Sequence, residues 1–107
     1  GGDPYRSYIS GTGTIDANGK VGAIGGIKYK ILATGRYGAR YFLAPKENCD
    51  SIVKMQAEDP ALFNYYHAGQ VKGEMVVIPV STLDEAVKTV EAIKSGTPDD
   101  SLPRCGS

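Results

Sequence analysis

The sequence predicts an α/β fold, a β-hairpin followed by alternating helices and strands, and three observations support this prediction. The pair Asn18-Gly19 lies between two runs of strand-forming residues, and such a pair favours a tight hairpin turn. Apolar residues then recur with a helical period in several segments. Two short apolar runs between those segments are typical of buried strands, so we expect parallel strands joined by helical crossovers.

The first predicted element is the hairpin. Residues 5–16 are expected to form one strand and residues 20–24 the return strand. A type I′ turn requires positive φ at both central residues, which Asn18 and Gly19 tolerate. Gly25 and Gly26 are expected to end the return strand.

A short amphipathic helix is predicted from Ile27 onward, because Ile27, Ile31 and Thr34 share one face. Gly38 is the expected C-terminal cap, and Gly35 weakens the last turn.

The remaining elements follow from turn and capping signals. Residues 41–44 are predicted to form a strand that ends at Pro45, and residues 75–80 a second buried strand. Asn48 is the expected N-cap of a helix over 51–56, and Pro60 is expected to start another helix that continues to 71. Thr82 and Glu85 have the spacing of a capping box, followed by a helical pattern to residue 93.

These elements constitute one domain, residues 1–94, followed by a segment rich in Gly, Pro, Asp and Ser, residues 95–107, that is predicted to be unstructured. The N-terminus lacks the features of a signal peptide and resembles a cut end. The two cysteines, Cys49 and Cys105, are too few for a disulfide framework, so we expect no intramolecular disulfide.

Composition excludes several classes of partner. The 12 basic and 12 acidic residues balance, which gives no electrostatic basis for binding nucleic acid. No apolar run approaches the roughly 20 residues that span a bilayer. His67 is the sole histidine and no Cys/His group has zinc-ligand spacing, so we predict no metal and no cofactor.

The glycine-rich segment GTGTID at 11–16 fails three motif tests. Asp16 occupies the place of the third glycine of a dinucleotide fingerprint, and a hairpin follows instead of a helix. A phosphate-binding loop would need one residue fewer between Gly13 and Lys20, and it would need a Ser or Thr in place of Val21. The later acidic ligands of a calcium loop are also absent.

The stretch GGIKYK at 25–30 places two lysines in the first turn of the predicted helix. Cations are unfavourable there, because the helix dipole is positive at this end. A lysine held beside apolar residues at such a site is poised to act as a general base. Lys30 lies nearer the buried face than Lys28, although helix lysines are usually solvated, and that alternative stays open.

Several segments of the sequence resemble those of a known family, the Lon-type serine peptidases. The resemblance covers about residues 8–94 in family-like order and spacing. Its motifs are SGTGTID (10–16), GKVGAIGGIKYK (19–30), GARYFLAP (38–45), NC (48–49), VIPV (77–80) and TLDEA (82–86). The chain is therefore expected to form the C-terminal part of a Lon-type proteolytic domain.

The resemblance implies hydrolysis of peptide bonds in proteins by a Ser–Lys dyad. The catalytic lysine maps to Lys30, and the supporting threonine that hydrogen-bonds it maps to Thr12. The segment GTGTID at 11–16 and the segment DPAL at 59–62 are most similar to the corresponding segments of PDZ-linked, membrane-anchored relatives. This subtype implies a location on the extracytoplasmic face of the membrane, whereas an ATP-dependent Lon relative would be cytoplasmic. Protein or peptide substrates and a homo-oligomer are the implied partners.

The sequence departs from the family pattern at the nucleophile. The family's serine lies in a Pro-Ser-Ala-Gly-like motif a few tens of residues before the lysine, and none of the 29 residues before Lys30 carries it. Ser7 and Ser10 are expected to be ordinary strand residues. We therefore expect this chain to supply the lysine half of the site and to be inactive alone. The alternative is a non-catalytic Lon-like module that binds proteins along an exposed sheet edge.

Overall fold

The computed structural model describes residues 8–106 and centres on a three-stranded parallel sheet. Its spatial order is β1–β4–β7, and helices cover both faces. No helix in the described range has the length and apolar character to cross a bilayer. In chain order the elements are β1 (Tyr8–Gly11), β2 (Thr14–Ile15), β3 (Val21–Gly22), α1 (Ile27–Arg36), β4 (Ala39–Pro45), α2 (Cys49–Glu58), β5 (Asn64–His67), β6 (Gln70–Glu74), β7 (Val76–Val80) and α3 (Leu83–Lys94), with 3-10 helices at Lys46–Asn48, Pro60–Phe63 and Asp99–Ser101.

The predicted α/β architecture with parallel crossovers is confirmed. The central strand β4 is buried on both faces, as its continuous apolar sequence predicts. Phe42 and Val77 project from one face into a core with α1 and α2. Tyr41 and Ile78 project from the other face into a core with α3. The sheet is thus the middle of three layers.

The N-terminal hairpin differs from its predicted form. The expected strand 5–16 is divided, because β1 joins the parallel sheet beside β4 while β2 pairs with β3; residues 5–7 lie outside the described range. Gly19 has a φ of 79°, whereas Asn18 is not among the described residues with positive φ, so the turn is not type I′. The carboxylate of Asp16 accepts hydrogen bonds from the backbone N–H groups of Asn18 and Lys20, which stabilises this alternative turn.

Helix α1 forms where the sequence predicts it, and Gly38 follows its C-terminus with a φ of 96°. Gly35 is buried in the last turn. A β-carbon at Gly35 would collide with the carbonyl oxygen of Asn64, so the glycine allows α1 to pack closely on the start of β5.

The helix predicted from Pro60 to 71 is wrong. Pro60 does start a helical turn, but it is a 3-10 helix that ends at Phe63, and the antiparallel pair β5–β6 follows. The hairpin loop has positive φ at Ala68 (51°) and Gly69 (77°), the geometry that a two-residue hairpin loop requires. Tyr65 and Tyr66 favour a strand, and this preference outweighs their helical spacing in the sequence.

Asn48 and Thr82 are both predicted to cap a helix N-terminus, but only Thr82 does so with its side chain. Thr82 caps α3 by accepting a hydrogen bond from Glu85 N–H at 3.1 Å, while the Glu85 carboxylate accepts from Ser81 N–H instead of Thr82 N–H. Asn48 occupies the N-cap position of α2, but its side chain makes no capping bond. Its amide is engaged elsewhere, as described below.

The C-terminal segment, predicted to be unstructured, packs on the domain, and we refer to residues 95–106 as the strap. Leu102 is buried in the α3-face core, and Cys105 packs against the core on the other face. Cys105 is disulfide-bonded to Cys49, contrary to the expectation of no intramolecular disulfide. Composition suggested disorder because the apolar residues of the strap are few, but Leu102 and the disulfide attach it to the domain.

Candidate functional site

The candidate lysine lies in the first turn of α1. Gly26 precedes the helix with a φ of 68°, and its carbonyl accepts hydrogen bonds from the N–H groups of Tyr29 (3.1 Å) and Lys30 (3.3 Å). The first turn of α1 contains no acidic side chain. Lys30 and Lys28 are both exposed, so neither ammonium is sequestered in the core.

The segment that enters α1 is fixed by Asn48. The Asn48 side-chain oxygen accepts a hydrogen bond from Ile24 N–H, and its amide nitrogen donates to Ile24 C=O, both at 3.1 Å. Asn48 is buried at 8% exposure, so both bonds are shielded from competing water. Asn48, the last residue of the 3-10 helix that follows β4, thereby holds the chain two residues before Gly26, the glycine that precedes α1.

Thr12 lies between β1 and β2 at the carboxyl end of the sheet. Its N–H donates to Leu43 C=O at 3.1 Å, which extends the pairing of β1 with β4 by one residue. Gly13 follows with a φ of 151°, and a β-carbon there would collide with Val21 and approach Pro45. The glycine after Thr12 therefore lets the chain turn tightly into the hairpin.

An apolar cleft of about 270 Å³ adjoins Thr12. The hairpin forms one wall, the ends of β1, β4 and β7 form the floor, and α3 forms the other wall. Among the described residues that line this cleft, Thr12 alone has a polar side chain. The apolar side chains that line it are Ile15, Val21, Leu43, Val80, Leu83 and Ala86.

Lys30 and Thr12 belong to the same end of the domain. Helix α1 runs back from the carboxyl end of the sheet, since Asn48, which follows β4, contacts the segment before α1. Thr12 follows β1 at that same end. Within residues 8–106, however, the two side chains make no hydrogen bond to each other. Lys30 and Thr12 thus both lie at the carboxyl end of the sheet, but they do not make the contact that the family pattern implies.

The serines before Lys30 do not form a site in the described range. Ser10 lies in β1, half-buried, with Phe42 as its partner in the ladder. Ser7 lies outside the described residues.

A second polar cluster, which no sequence pattern predicted, attaches the strap to β4. Asp99 accepts hydrogen bonds from Tyr41 Oη at 2.6 Å and Arg40 Nη2 at 2.8 Å. Burial alone would raise the pKa of Asp99, but the hydrogen bonds from Tyr41 and Arg40 outweigh it and hold the pKa below its ordinary value. Burial, followed by the hydrogen bond to Asp99, raises the pKa of Tyr41. Arg104 Nη2 adds a hydrogen bond to Asp99 C=O at 3.2 Å.

Comparison with known proteins agrees with the fold. Residues 1–92 match the family described as the Lon protease (S16) C-terminal proteolytic domain. The chain is 37% identical over 87 residues to the Lon protease of Chloroflexus aggregans and 38% identical over 86 residues to that of Haemophilus influenzae. It is 32% identical over 89 residues to the peroxisomal Lon protease homolog 2 of Caenorhabditis briggsae.

These three alignments cover 80–83% of this chain but only 9–10% of each relative. The chain thus spans about a tenth of the length of the curated relatives that it matches. On the family match across residues 1–92, the chain belongs to the Lon protease C-terminal proteolytic domain family.

Proposed function

We propose that this chain supplies the lysine half of a Ser–Lys endopeptidase site. The observation that supports the proposal most strongly is the position of Lys30 in the first turn of α1, within a segment that belongs to the Lon proteolytic family. A neutral amine is the form that can accept a proton from a serine hydroxyl.

In the proposed reaction, the Lys30 amine removes the proton from the serine hydroxyl as the serine oxygen attacks the peptide carbonyl. The protonated lysine then returns a proton to the leaving amine, and an acyl-enzyme forms. Water hydrolyses this ester with Lys30 again acting as the base. Thr12 acts as a positioning residue, because its hydroxyl can accept a hydrogen bond from the lysine.

The nucleophilic serine is proposed to come from a segment outside the 107 residues, since they contain no Pro-Ser-Ala-Gly motif. The 107-residue chain alone is then inactive. Assembly of the chain into a homo-oligomer is proposed on the family resemblance.

The apolar cleft beside Thr12 suggests a substrate preference. Its volume of about 270 Å³ and its aliphatic lining suit an apolar side chain, which would be desolvated there. We therefore propose that an apolar substrate residue occupies the cleft during cleavage. A peptide series with Leu, Ala or Asp flanking the scissile bond tests this point, with Leu expected to be cleaved fastest.

We also propose that the parent protein belongs to the PDZ-linked, membrane-anchored subtype, with this domain on the extracytoplasmic face. The GTGTID and DPAL segments support this assignment. The Cys49–Cys105 disulfide supports the location independently, since disulfides persist in oxidising compartments. The alternative is an ATP-dependent cytoplasmic relative. The redox state of Cys49 and Cys105 in cell extracts distinguishes these possibilities: a disulfide supports the extracytoplasmic location, and two free thiols support the cytoplasmic one.

A second candidate function is non-catalytic binding. Strand β1 pairs with β4 on one side, and within residues 8–106 no strand pairs with its other side. Such an edge can accept an added strand from a partner protein. A natural gene that encodes no serine motif upstream of residue 1 would favour this function.

The decisive experiment expresses the chain together with the coding region that precedes it in its natural gene and measures cleavage of an unstructured protein substrate. The proposal predicts cleavage by this longer protein and none by the 107-residue chain. An inert longer protein that contains the serine motif and a folded α1 would contradict the endopeptidase proposal.

A further inference from the structure

The start of α1, the helix that carries Lys30, has little local stabilisation of its own. Gly26 occupies the N-cap position and offers no side chain for capping, and the first turn contains no acidic residue. Gly25 precedes Gly26, and a β-carbon at either glycine would meet no atom within 4 Å. Packing therefore does not fix these two glycines, and the start of α1 depends on the contacts on either side of them.

Those contacts come from Asn48 on one side and from the core on the other. The Asn48 side chain accepts a hydrogen bond from Ile24 N–H and donates one to Ile24 C=O, just before the glycines. Ile27, just after them, is buried at 7% exposure. Between these two anchors the Gly26 carbonyl accepts a hydrogen bond from Lys30 N–H at 3.3 Å. The backbone of Lys30 is thus bonded to the turn that Asn48 holds.

Asn48 uses its side chain for this contact at the expense of a local one. It ends the 3-10 helix Lys46–Asn48, and its helical backbone (φ −87°, ψ −3°) leads directly into α2. Asparagine is among the preferred N-cap residues, but here the side chain makes no capping bond to α2. Both polar atoms of the amide bond instead to a residue 24 positions earlier in the chain. Departures from a local rule of this kind are expected at functional sites.

We propose that Asn48 is a positioning residue for catalysis, which holds the first turn of α1 where the Lys30 amine can reach the serine hydroxyl. This inference rests on the proposed Ser–Lys function. Ile27 and Ile31 hold the buried face of α1 in the core, so we expect loss of the Asn48 contact to loosen the turn before the helix and to leave the domain folded. A displacement of about 1 Å at a catalytic group can lower the rate by about a hundredfold.

The first measurement is amide hydrogen exchange, followed by NMR, in the purified 107-residue chain. Asn48→Ala should speed the exchange of Lys30 N–H by about tenfold or more, because this bond opens with the turn. The matched probe is Ala86 N–H, a first-turn amide of α3 that bonds to Thr82 C=O, and its rate should change less than about twofold. An unchanged Lys30 N–H, or equal acceleration of both amides, would overturn the proposal.

The second measurement is cleavage kinetics in the longer, serine-containing protein, at a temperature well below the melting temperature of every variant. Asn48→Ala should lower kcat by about tenfold or more and change KM by less than about twofold, since the lost contact places the base and does not bind substrate. Tyr41→Phe is the control, because it removes a hydrogen bond between β4 and the strap and should keep the kcat of the unmodified protein.

Asn48→Asp is the second variant if Asn48→Ala folds poorly. It keeps an acceptor for Ile24 N–H but places a carboxylate oxygen against Ile24 C=O, so kcat should fall here too. An unchanged kcat in a folded Asn48 variant, or an equal fall in Tyr41→Phe, would contradict this inference alone. An inert unmodified protein would contradict the proposed peptidase function and the inference with it, so the two failures are distinguishable.

Discussion

Asn48 holds both backbone polar groups of Ile24, 24 residues earlier in the chain, through two hydrogen bonds of 3.1 Å. This side chain imitates a strand partner for one residue, since it both donates and accepts. The bonded residue lies just before the two glycines that lead into α1. Asn48 therefore positions the start of the helix that carries Lys30.

Replacement of Asn48 should be costly for stability. Asn48→Ala leaves a part-buried N–H and a part-buried C=O of Ile24 without partners, and we expect a loss of about 2–3 kcal/mol in the free energy of unfolding. Urea denaturation monitored by circular dichroism measures the change. The control is Glu47→Ala at the exposed neighbouring position, which should change the free energy by less than about 0.5 kcal/mol. Equal effects at both positions would refute the role of the Ile24 contact.

Gly35 should not tolerate a side chain. Alanine normally stabilises a helix by about 1 kcal/mol relative to glycine. At Gly35 the added methyl group would collide with the carbonyl oxygen of Asn64, so we expect Gly35→Ala to destabilise the domain by roughly 1–3 kcal/mol. Gly25→Ala is the matched control, because a β-carbon there meets no atom within 4 Å. The melting temperatures of the two variants should therefore differ clearly, and a stabilised Gly35→Ala would contradict the packing of α1 on β5.

The attachment of the strap should weaken in acid. The pKa of Asp99 is lowered in the folded protein, so its contribution is complete above the ordinary carboxyl pKa of about 4 and is lost as the pH falls through the lower folded value. Asp99→Asn removes the titrating group and should flatten the pH dependence of stability in this range. Denaturation curves between about pH 6 and pH 2.5 measure it, and an unchanged slope in the variant would contradict the assignment.

Tyr41 should contribute through its hydroxyl. Tyr41→Phe keeps the ring in the α3-face core but removes the hydrogen bond to Asp99, at an expected cost of about 1–2 kcal/mol. The loss should be smaller in the Asp99→Asn background, because the two residues share one interaction. A double-mutant cycle measures this coupling, and additive effects would argue against the hydrogen bond.

The sequence predicted the parallel sheet, α1, α3 and the buried strands, because their apolar periodicity is strong and local. It failed at residues 60–71, where a helix was predicted and where Tyr65 and Tyr66 fit both a helical spacing and a strand. The tertiary pairing of β5 with β6 decides that case. The sequence-based prediction also failed for the strap, because composition alone does not show that Leu102 is buried or that Cys49 and Cys105 meet.

For the candidate site, the sequence predicted the position of Lys30 at the N-terminus of α1 but not the contact that fixes this end. Asparagine is a residue type that often caps helices, and only the fold shows that the side-chain amide of Asn48 is directed to Ile24 instead. The cleft beside Thr12 combines residues from β4, β7, α3 and the hairpin. Such long-range grouping cannot be derived from local spacing.

The disulfide should be a main source of stability for this small domain. It closes a sequence separation of 56 residues, for which the chain-entropy relation gives about 4 kcal/mol. We expect Cys49→Ser with Cys105→Ser to lose a comparable free energy of unfolding, measured in guanidinium chloride against the oxidised chain. An equal stability of the two proteins would indicate that the strap contributes through Asp99 and Leu102 alone.

The most direct test of the central claim is the rate of substrate cleavage by the longer, serine-containing protein with either lysine replaced. Lys30→Ala should reduce the rate about a thousandfold or more, as expected for loss of a general base, with an unchanged melting temperature. Lys28→Ala, an exposed neighbour on the same turn, should retain a rate close to that of the unmodified protein. An active Lys30→Ala protein, or an inactive but folded Lys28→Ala protein, would contradict the assignment of Lys30 as the catalytic base.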